Sequence, residues 1–221
     1  MINKAVIELI KGLARSLSFI FNHKTSVTIE WYKNLFYTHW IKNNFKNCDG
    51  QINRFIKLRG GKYVGIESNT TVDSGTRLEA WDSYGEQKFS PEIRIGSNTL
   101  IGNDCHISCV NRIDIGNHVA IASRCLIVDN VHGDFNIANF TFANGPDVPD
   151  VFLKNAFTRD LYSKGPIIIE DNVHIGENCT IMAGVTIGHN SVIAANTVVL
   201  RSIKPFSMVF GNPSKSISYS N

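Results

Sequence analysis

From residue 66 onward an aliphatic side chain recurs every six positions, in blocks of three: Ile66, Val72, Leu78; Ile95, Ile101, Ile107; Ile115, Ile121, Ile127; Ile169, Ile175, Ile181; and Ile187, Ile193, Val199. The position after the anchor is Gly, Ala, Asp or Glu in eleven of these fifteen hexads. The fourth position after it is a small Ser, Thr, Val or Cys in twelve, with Asp82, Asn111 and Ile203 as the exceptions. Such a period describes a short strand followed by a tight corner, and three of these units close one triangular coil. Stacked coils make a parallel β-helix, a narrow prism whose interior takes one large aliphatic residue per face and a small one beside it. Gly and Asn at the corners, as at Gly96, Asn98, Gly102, Asn103, Gly116, Asn117, Gly176, Asn178, Gly188 and Asn190, are expected to supply the bends, often with φ > 0. The spacing does not set the hand of the coil.

The repeat also accounts for the cysteines. Cys105, Cys125 and Cys179 fall at the small inward position, where a free thiol behaves as a compact hydrophobe. Five cysteines in 221 residues do not read as a disulfide framework, and Cys109 near Cys105 has no partner pair at zinc-ligand spacing. No metal requirement is expected, and a reducing, cytoplasmic setting is the default. With 43% hydrophobic and 19% charged residues the chain is not extended and disordered. It has no apolar run long enough for a transmembrane span. The early run from Ala5 to Ile10, broken by Glu8 and followed by Lys11 and Arg15, makes a poor signal-peptide core.

Interruptions of the repeat point to function. The first anchors of successive coils are 29, 20, 54 and 18 residues apart. A long excursion, about residues 133–168, therefore leaves the third coil, and loops of that length in a compact repeat are usually functional. A smaller excursion carries Trp81, Tyr84, Gln87 and Phe89, either as a patch that covers the sheet or as the wall of a pocket. The corner rule fails only at Ser108, Val128, Met182 and Leu200, each in the third hexad of its coil. One face is thus built differently, the long loop departs from it, and a site is expected there.

Residues 1–62 lack the hexad pattern. Val6, Leu9, Ile10, Leu13, Leu17, Ile20 and Phe21 follow helical spacing, and an aromatic-rich stretch follows from Trp31 to Phe45. The expected organisation is a helical N-terminal cap over residues 1–62, a β-helix over 63–204 and a tail over 205–221. A cap protects the open first coil, which is otherwise a sticky sheet edge. The sharper alternative is a basic amphipathic element on an anionic membrane surface, through residues 1–24. Residues 1–62 hold 11 basic residues against 3 acidic ones, and after Glu177 no acid occurs while Arg201, Lys204 and Lys215 remain. Either zone suits a polyanion; nucleic acid is disfavoured because neither carries a binding motif.

At the base of the long excursion stands Asp129-Asn130-Val131-His132-Gly133-Asp134. Histidine is the natural proton acceptor near neutral pH, and a loop rooted on a rigid prism can place it firmly. His106, His132 and His174 all occupy the sixth place of a hexad, but on different faces, which argues against a shared metal. The Asp129–Gly133 segment, the run from Tyr162 through Gly176, Ala183-Gly184-Val185-Thr186-Ile187-Gly188, and Gly211-Asn212-Pro213-Ser214-Lys215 together resemble the hexapeptide-repeat acyltransferases. Within these they look like the maltose, galactoside and nodulation-type O-acetyltransferases and the sugar acetyltransferases of bacterial polysaccharide clusters. The resemblance covers roughly residues 58–217.

What the resemblance implies is an all-β, left-handed parallel β-helix, a homotrimer with the active site between subunits, acetyl-CoA as donor and a sugar acceptor. His132 matches the family's catalytic histidine, although Pro often stands where this chain has Gly133. Glu177 falls at a family CoA contact that is usually small and polar, Ala195 matches an Ala lining the pantetheine groove, and Arg201 and Lys215 match basic contacts to the nucleotide end. Ser108 aligns with an acceptor-binding Asn, and Asn111 beside it is the other candidate acceptor contact. A hydroxyl is a weak nucleophile, so His132 is expected to take its proton as it attacks the thioester, in a direct transfer without a covalent relay. The rival readings are an N-acetyltransferase acting on an amino sugar and a non-catalytic β-helix scaffold. A γ-type carbonic anhydrase would require two histidines five residues apart, and none are.

Overall fold

The computed structural model describes residues 7, 8, 10–13, 15, 23–136, 140, 141 and 148–218. Three sheets form the faces of a prism. The first contains Asn47–Cys48, Val64–Ile66, Glu92–Ile95, Arg112–Ile115, Ile167–Ile169 and Thr186–Ile187. The second contains Gln51–Ile52, Thr71–Val72, Leu100–Ile101, Ala120–Ile121, His174–Ile175, Val192–Ile193, Ser207–Phe210 and Lys215–Ser218. The third contains Lys57–Arg59, Arg77–Ala80, His106–Cys109, Leu126–Val128, Thr180–Met182 and Val198–Val199. Every pair in these sheets is parallel except the last of the second, Ser207–Phe210 with Lys215–Ser218. The registers align the anchors in columns, and on the second face the column runs Val72, Ile101, Ile121, Ile175, Ile193.

All fifteen anchors point inward and none is more than 3% exposed. The small inward residues do more than fill space. Thr70 donates its hydroxyl to the Gly96 carbonyl at 2.6 Å, Thr76 to Gly102 at 2.9 Å and Thr99 to Gly116 at 3.0 Å. Cys105, Cys125 and Cys179 donate their thiols to the carbonyls of Ala122, Gly176 and Ala194 at 3.1–3.2 Å. Each acceptor lies one coil further on, just after its anchor, so the side chain ties successive corners together and occupies a carbonyl that is sheltered from water. The three cysteines are buried as the repeat predicts, and the adjacent Cys105 thiol helps push Cys125 up to about 11, which keeps it protonated.

The corner glycines have a different reason from the one expected. Left-handed backbone occurs at the third position after the anchor, as at Asn98, Asn178 and Asn190 with φ of 55–57°. Gly96, Gly102, Gly116, Gly176 and Gly188 are not among the positive-φ residues. A Cβ on Gly96 would stand 2.7 Å from the carbonyl of Gly116, and one on Gly176 would stand 2.6 Å from the Ala195 nitrogen. Close stacking of coils, rather than an unusual dihedral, excludes a side chain there.

The sheets outrun the sequence pattern at both ends. Cys48 pairs in register with Ile66, Ile52 with Val72 and Leu58 with Leu78, so a further coil precedes residue 62. Beyond residue 204, Val209 aligns with Ile193. The extra N-terminal coil is irregular, with only four residues from Cys48 to Ile52, and an end coil with one neighbour tolerates such an anchor and spacing. Helix α1 (His23–Ile41) lies against it. The Thr38 hydroxyl accepts the Ile52 N–H at 2.9 Å, and the Asn34 carboxamide oxygen accepts the Arg54 N–H at 3.2 Å, so α1 covers an edge that would otherwise be open. The opposite side of α1 leaves Tyr32, Phe36 and Trp40 exposed. The membrane contact expected of residues 1–24 falls largely outside the described residues. Among the described residues no helix is long and apolar enough to cross a membrane.

Candidate active site

The long excursion is rooted by a buried carboxylate. Asp129, directly after the third-face strand Leu126–Val128, has no exposed surface. Its two oxygens accept the N–H groups of Val110 and Asn111, each at 2.8 Å, and the Cys109 thiol at 3.3 Å. Asn130 donates its amide to Asp129 and to the Ser108 carbonyl and hydroxyl, each at 3.2 Å. Burial raises the Asp129 carboxyl above its ordinary range, while the two backbone N–H groups pull the other way. Burial, reinforced by the Asp129 carboxylate, drives the Cys109 thiol far upward, so it remains a donor. The turn that launches the loop is therefore held from inside the preceding coil.

Val131–His132 then pairs antiparallel with Leu161–Tyr162, with His132 opposite Leu161. The Gly133 N–H donates to the Asp160 carbonyl at 2.8 Å. Gly133 has φ of +102°, a conformation closed to proline, and a Cβ there would meet Val151 at 2.8 Å. This explains why the chain departs from the proline common at that place. His132 is exposed, and its ring meets Tyr84 edge-to-face, with centroids 5.3 Å apart and planes at 71°. Among the described residues, no hydrogen bond is made to either ring nitrogen of His132.

Two clefts adjoin this strand pair. One of about 480 Å³ is walled by Val131, Phe135, Tyr162, Lys164, Met182 and Leu200. The other, of about 360 Å³, is walled by Gln87, Gly133, Lys154, Arg159 and Tyr162 among others. Met182 and Leu200 are two of the residues at which the corner rule fails, and their large side chains line the cleft on the face where a site is expected.

The remaining candidates do not gather in one pocket of a single chain. Glu177 and Ala195 stack at the corner between the second and third faces, where the Asn196 N–H donates to the Glu177 carbonyl at 2.8 Å. The Glu177 carboxylate is engaged by Arg124 at 2.5 Å. Lys215, exposed, lies opposite Phe210 in the last strand pair of the second face. Arg201, also exposed, follows the third face, on the edge from which His132 departs. Ser108, a candidate acceptor contact, is 5% exposed, and its carbonyl and hydroxyl accept the Asn130 amide, so it also holds the loop root. Asn111 is exposed, with its N–H committed to Asp129. His106 lies 3.1 Å from Glu79, and His174 is exposed on the second face, so the three sixth-place histidines stand apart. Residue spacing carried no sign of Asp129 as the anchor, because its partners come from the previous coil. Tyr84 and Gln87 were visible only as members of an insertion.

A family model described as the hexapeptide repeat of succinyl-transferase matches residues 166–201. WbbJ of Escherichia coli strain K12, inferred to be a lipopolysaccharide biosynthesis O-acetyl transferase, is 30% identical over 178 residues, covering 80% of this chain and 82% of that protein. A chloramphenicol acetyltransferase of Agrobacterium fabrum is 32% identical over 110 residues, 48% of this chain and 51% of that protein. Among solved structures, AntD, an N-acyltransferase from Bacillus cereus in complex with dTDP and 3-hydroxybutyryl-CoA, has the same fold, with a TM-score of 0.62 at 19% identity over 84% of this chain and 88% of that one. The architecture is the left-handed parallel β-helix. The chain belongs to the hexapeptide-repeat acetyltransferases.

Proposed function

We propose that this enzyme transfers an acetyl group from acetyl-CoA to a hydroxyl of a sugar or sugar-containing acceptor in glycan or polysaccharide synthesis, with His132 as general base. The observation that carries the reading is the exposed His132 ring, set at the root of the loop by an internally braced turn, in a strand pair whose neighbouring residues line two clefts. The acceptor oxygen attacks the thioester carbonyl as a ring nitrogen of His132 takes its proton. The tetrahedral intermediate then collapses, the C–S bond breaks, and the proton passes to the departing CoA thiolate. Similarity to WbbJ supports a sugar acceptor and a hydroxyl. A screen of sugars, sugar nucleotides and amino sugars with labelled acetyl-CoA tests it. Alkali-labile label on a sugar is the expected product; alkali-stable label on an amino sugar would make the enzyme an N-acetyltransferase, and no transfer to any glycan would overturn the reading.

The residues present suit CoA. Ala195, small and exposed at the corner between the second and third faces, leaves room for a thin pantetheine chain, and the acid-free segment with Arg201 and Lys215 offers charge for phosphates. Bound, CoA supplies the activated acetyl group as a thioester. Glu177, Ala195 and Lys215 lie toward one edge of the third face and His132 and Arg201 toward the other. A homotrimer, setting one chain's edge against its neighbour's, completes the groove between subunits. Arg201→Ala with Lys215→Ala is expected to raise the KM for acetyl-CoA roughly tenfold or more, consistent with loss of charge-assisted contacts. An unchanged KM would remove both from the cofactor site, and a solution mass equal to the 24.6 kDa chain would exclude the trimer.

A further inference from the structure

We propose that the hairpin inserted in the first regular coil, Ser83–Tyr84 paired with Gln87–Lys88, is the positioning device of His132, acting through Tyr84 and Gln87. This rests on the reading of His132 as the base. Tyr84 acts on the side chain: its ring packs edge-to-face on the imidazole, and its hydroxyl donates to the Phe157 carbonyl, which holds that ring in place. Gln87 acts on the backbone. Its Oε1 accepts the Leu161 N–H at 2.6 Å and its Nε2 donates to the Leu161 carbonyl at 3.0 Å. Leu161 is the residue paired opposite His132. One short hairpin thus grips the ring of the base and the strand that fixes its backbone.

The hairpin has too little of its own structure to stand alone, since a two-residue ladder is marginal in water. It is tied to the prism at its foot. The guanidinium of Arg59 stacks 3.5 Å over Trp81, whose ring meets Tyr84 at 6.1 Å, and Asp82 accepts the Tyr63 hydroxyl at 3.1 Å. Rigidity therefore passes from Arg59 through Trp81 and Tyr84 to His132, across coils separated in sequence by the entire second coil. With no hydrogen bond to either ring nitrogen among the described residues, packing on Tyr84 is what restrains the imidazole. Misplacing a reacting group by about 1 Å costs on the order of 100-fold in rate, which makes such a restraint consequential.

The test uses the full-length protein and reads His132 in two independent ways. The ring signals of His132, assigned by their loss in His132→Ala, are followed by NMR in Tyr84→Ala, Tyr84→Phe, Gln87→Ala and the parent. In parallel, kcat and KM are measured for the same set, with the melting temperature as a control for folding. Expected are a displaced or exchange-broadened His132 signal and a fall in kcat of roughly 10–100-fold in Tyr84→Ala and Gln87→Ala, with KM for acetyl-CoA within about twofold. Tyr84→Phe keeps the ring but loses its hydroxyl bond to the Phe157 carbonyl, so its kcat and His132 signal should fall between those of Tyr84→Ala and the parent. A His132 signal unchanged in Tyr84→Ala overturns the proposal, as does an altered signal with undiminished kcat. Turnover that survives His132→Ala instead refutes the base assignment, while the NMR arm still reports whether the hairpin holds the ring.

Discussion

His132→Ala is expected to lower kcat by about 100- to 10,000-fold, the usual contribution of a positioned general base. KM for acetyl-CoA should stay nearly constant, because the proposed CoA contacts lie toward the other edge of the face or on Arg201 rather than on the imidazole. The size of the effect follows from the nucleophile: a neutral hydroxyl attacks a thioester slowly unless its proton leaves as the bond forms. The substitution is structurally mild, since His132 is exposed and its strand is held by the backbone of Leu161 and by Asp160 across the pair. His132→Asn offers a control of similar polarity that accepts no proton. Steady-state kinetics with a saturating acceptor decide the matter, and turnover above a tenth of the parent rate would sink the assignment.

Asp129→Ala should produce the largest loss of stability among the site residues. Removing the carboxylate leaves the buried Val110 N–H unsatisfied, at about 1–3 kcal/mol, and takes the partner of the partly buried Asn111 N–H at a smaller cost. Part of that is offset because burial already disfavours the charged form of Asp129. Asp129→Asn retains one acceptor oxygen and sets an NH2 group against the other N–H, so an intermediate loss is expected. The two variants differ from the parent in pH dependence as well. The carboxyl is raised above its unfolded value, so the native state binds the proton more readily than the unfolded chain. Stability from this group is full below the ordinary carboxylate range, near pH 4, and is lost as pH rises through the raised value. Chemical denaturation at several pH values should show that the parent-minus-Asn difference shrinks as pH rises through this window. A difference independent of pH would mean that Asp129 titrates normally. Activity should fall with stability, because the turn carrying His132 loses its brace.

The prism was legible because its physics is local and periodic. An aliphatic anchor every six residues and a small neighbour four positions later follow from a narrow interior that each coil must fill in the same way, and Ile121 or Cys125 reads the same wherever the coil lies. The irregular coil at Cys48, Ile52 and Leu58 escaped that logic, since an end coil has one neighbour and its missing pairing comes from α1. Glycine at Gly96 and Gly176 was legible as a corner but not for its cause, which is the approach of the next coil.

At the candidate site the motif alone singled out His132 and placed it at the foot of an excursion from the distinctive face. What holds it there depends on contacts between segments far apart in sequence: Asp129 bonded to the preceding coil, Gln87 bracketing Leu161, Tyr84 against the imidazole. The same holds for the bond of Ser108 to Asn130, which joins two coils and has no trace in spacing. By itself, the sequence determined the three-sided coil, the inward columns and the excursions, because each depends on spacing along the chain; the candidate histidine came from its loop motif. Only the tertiary structure decided which residues brace that histidine and why a glycine follows it, because those depend on how coils of unequal length bring their insertions together in space.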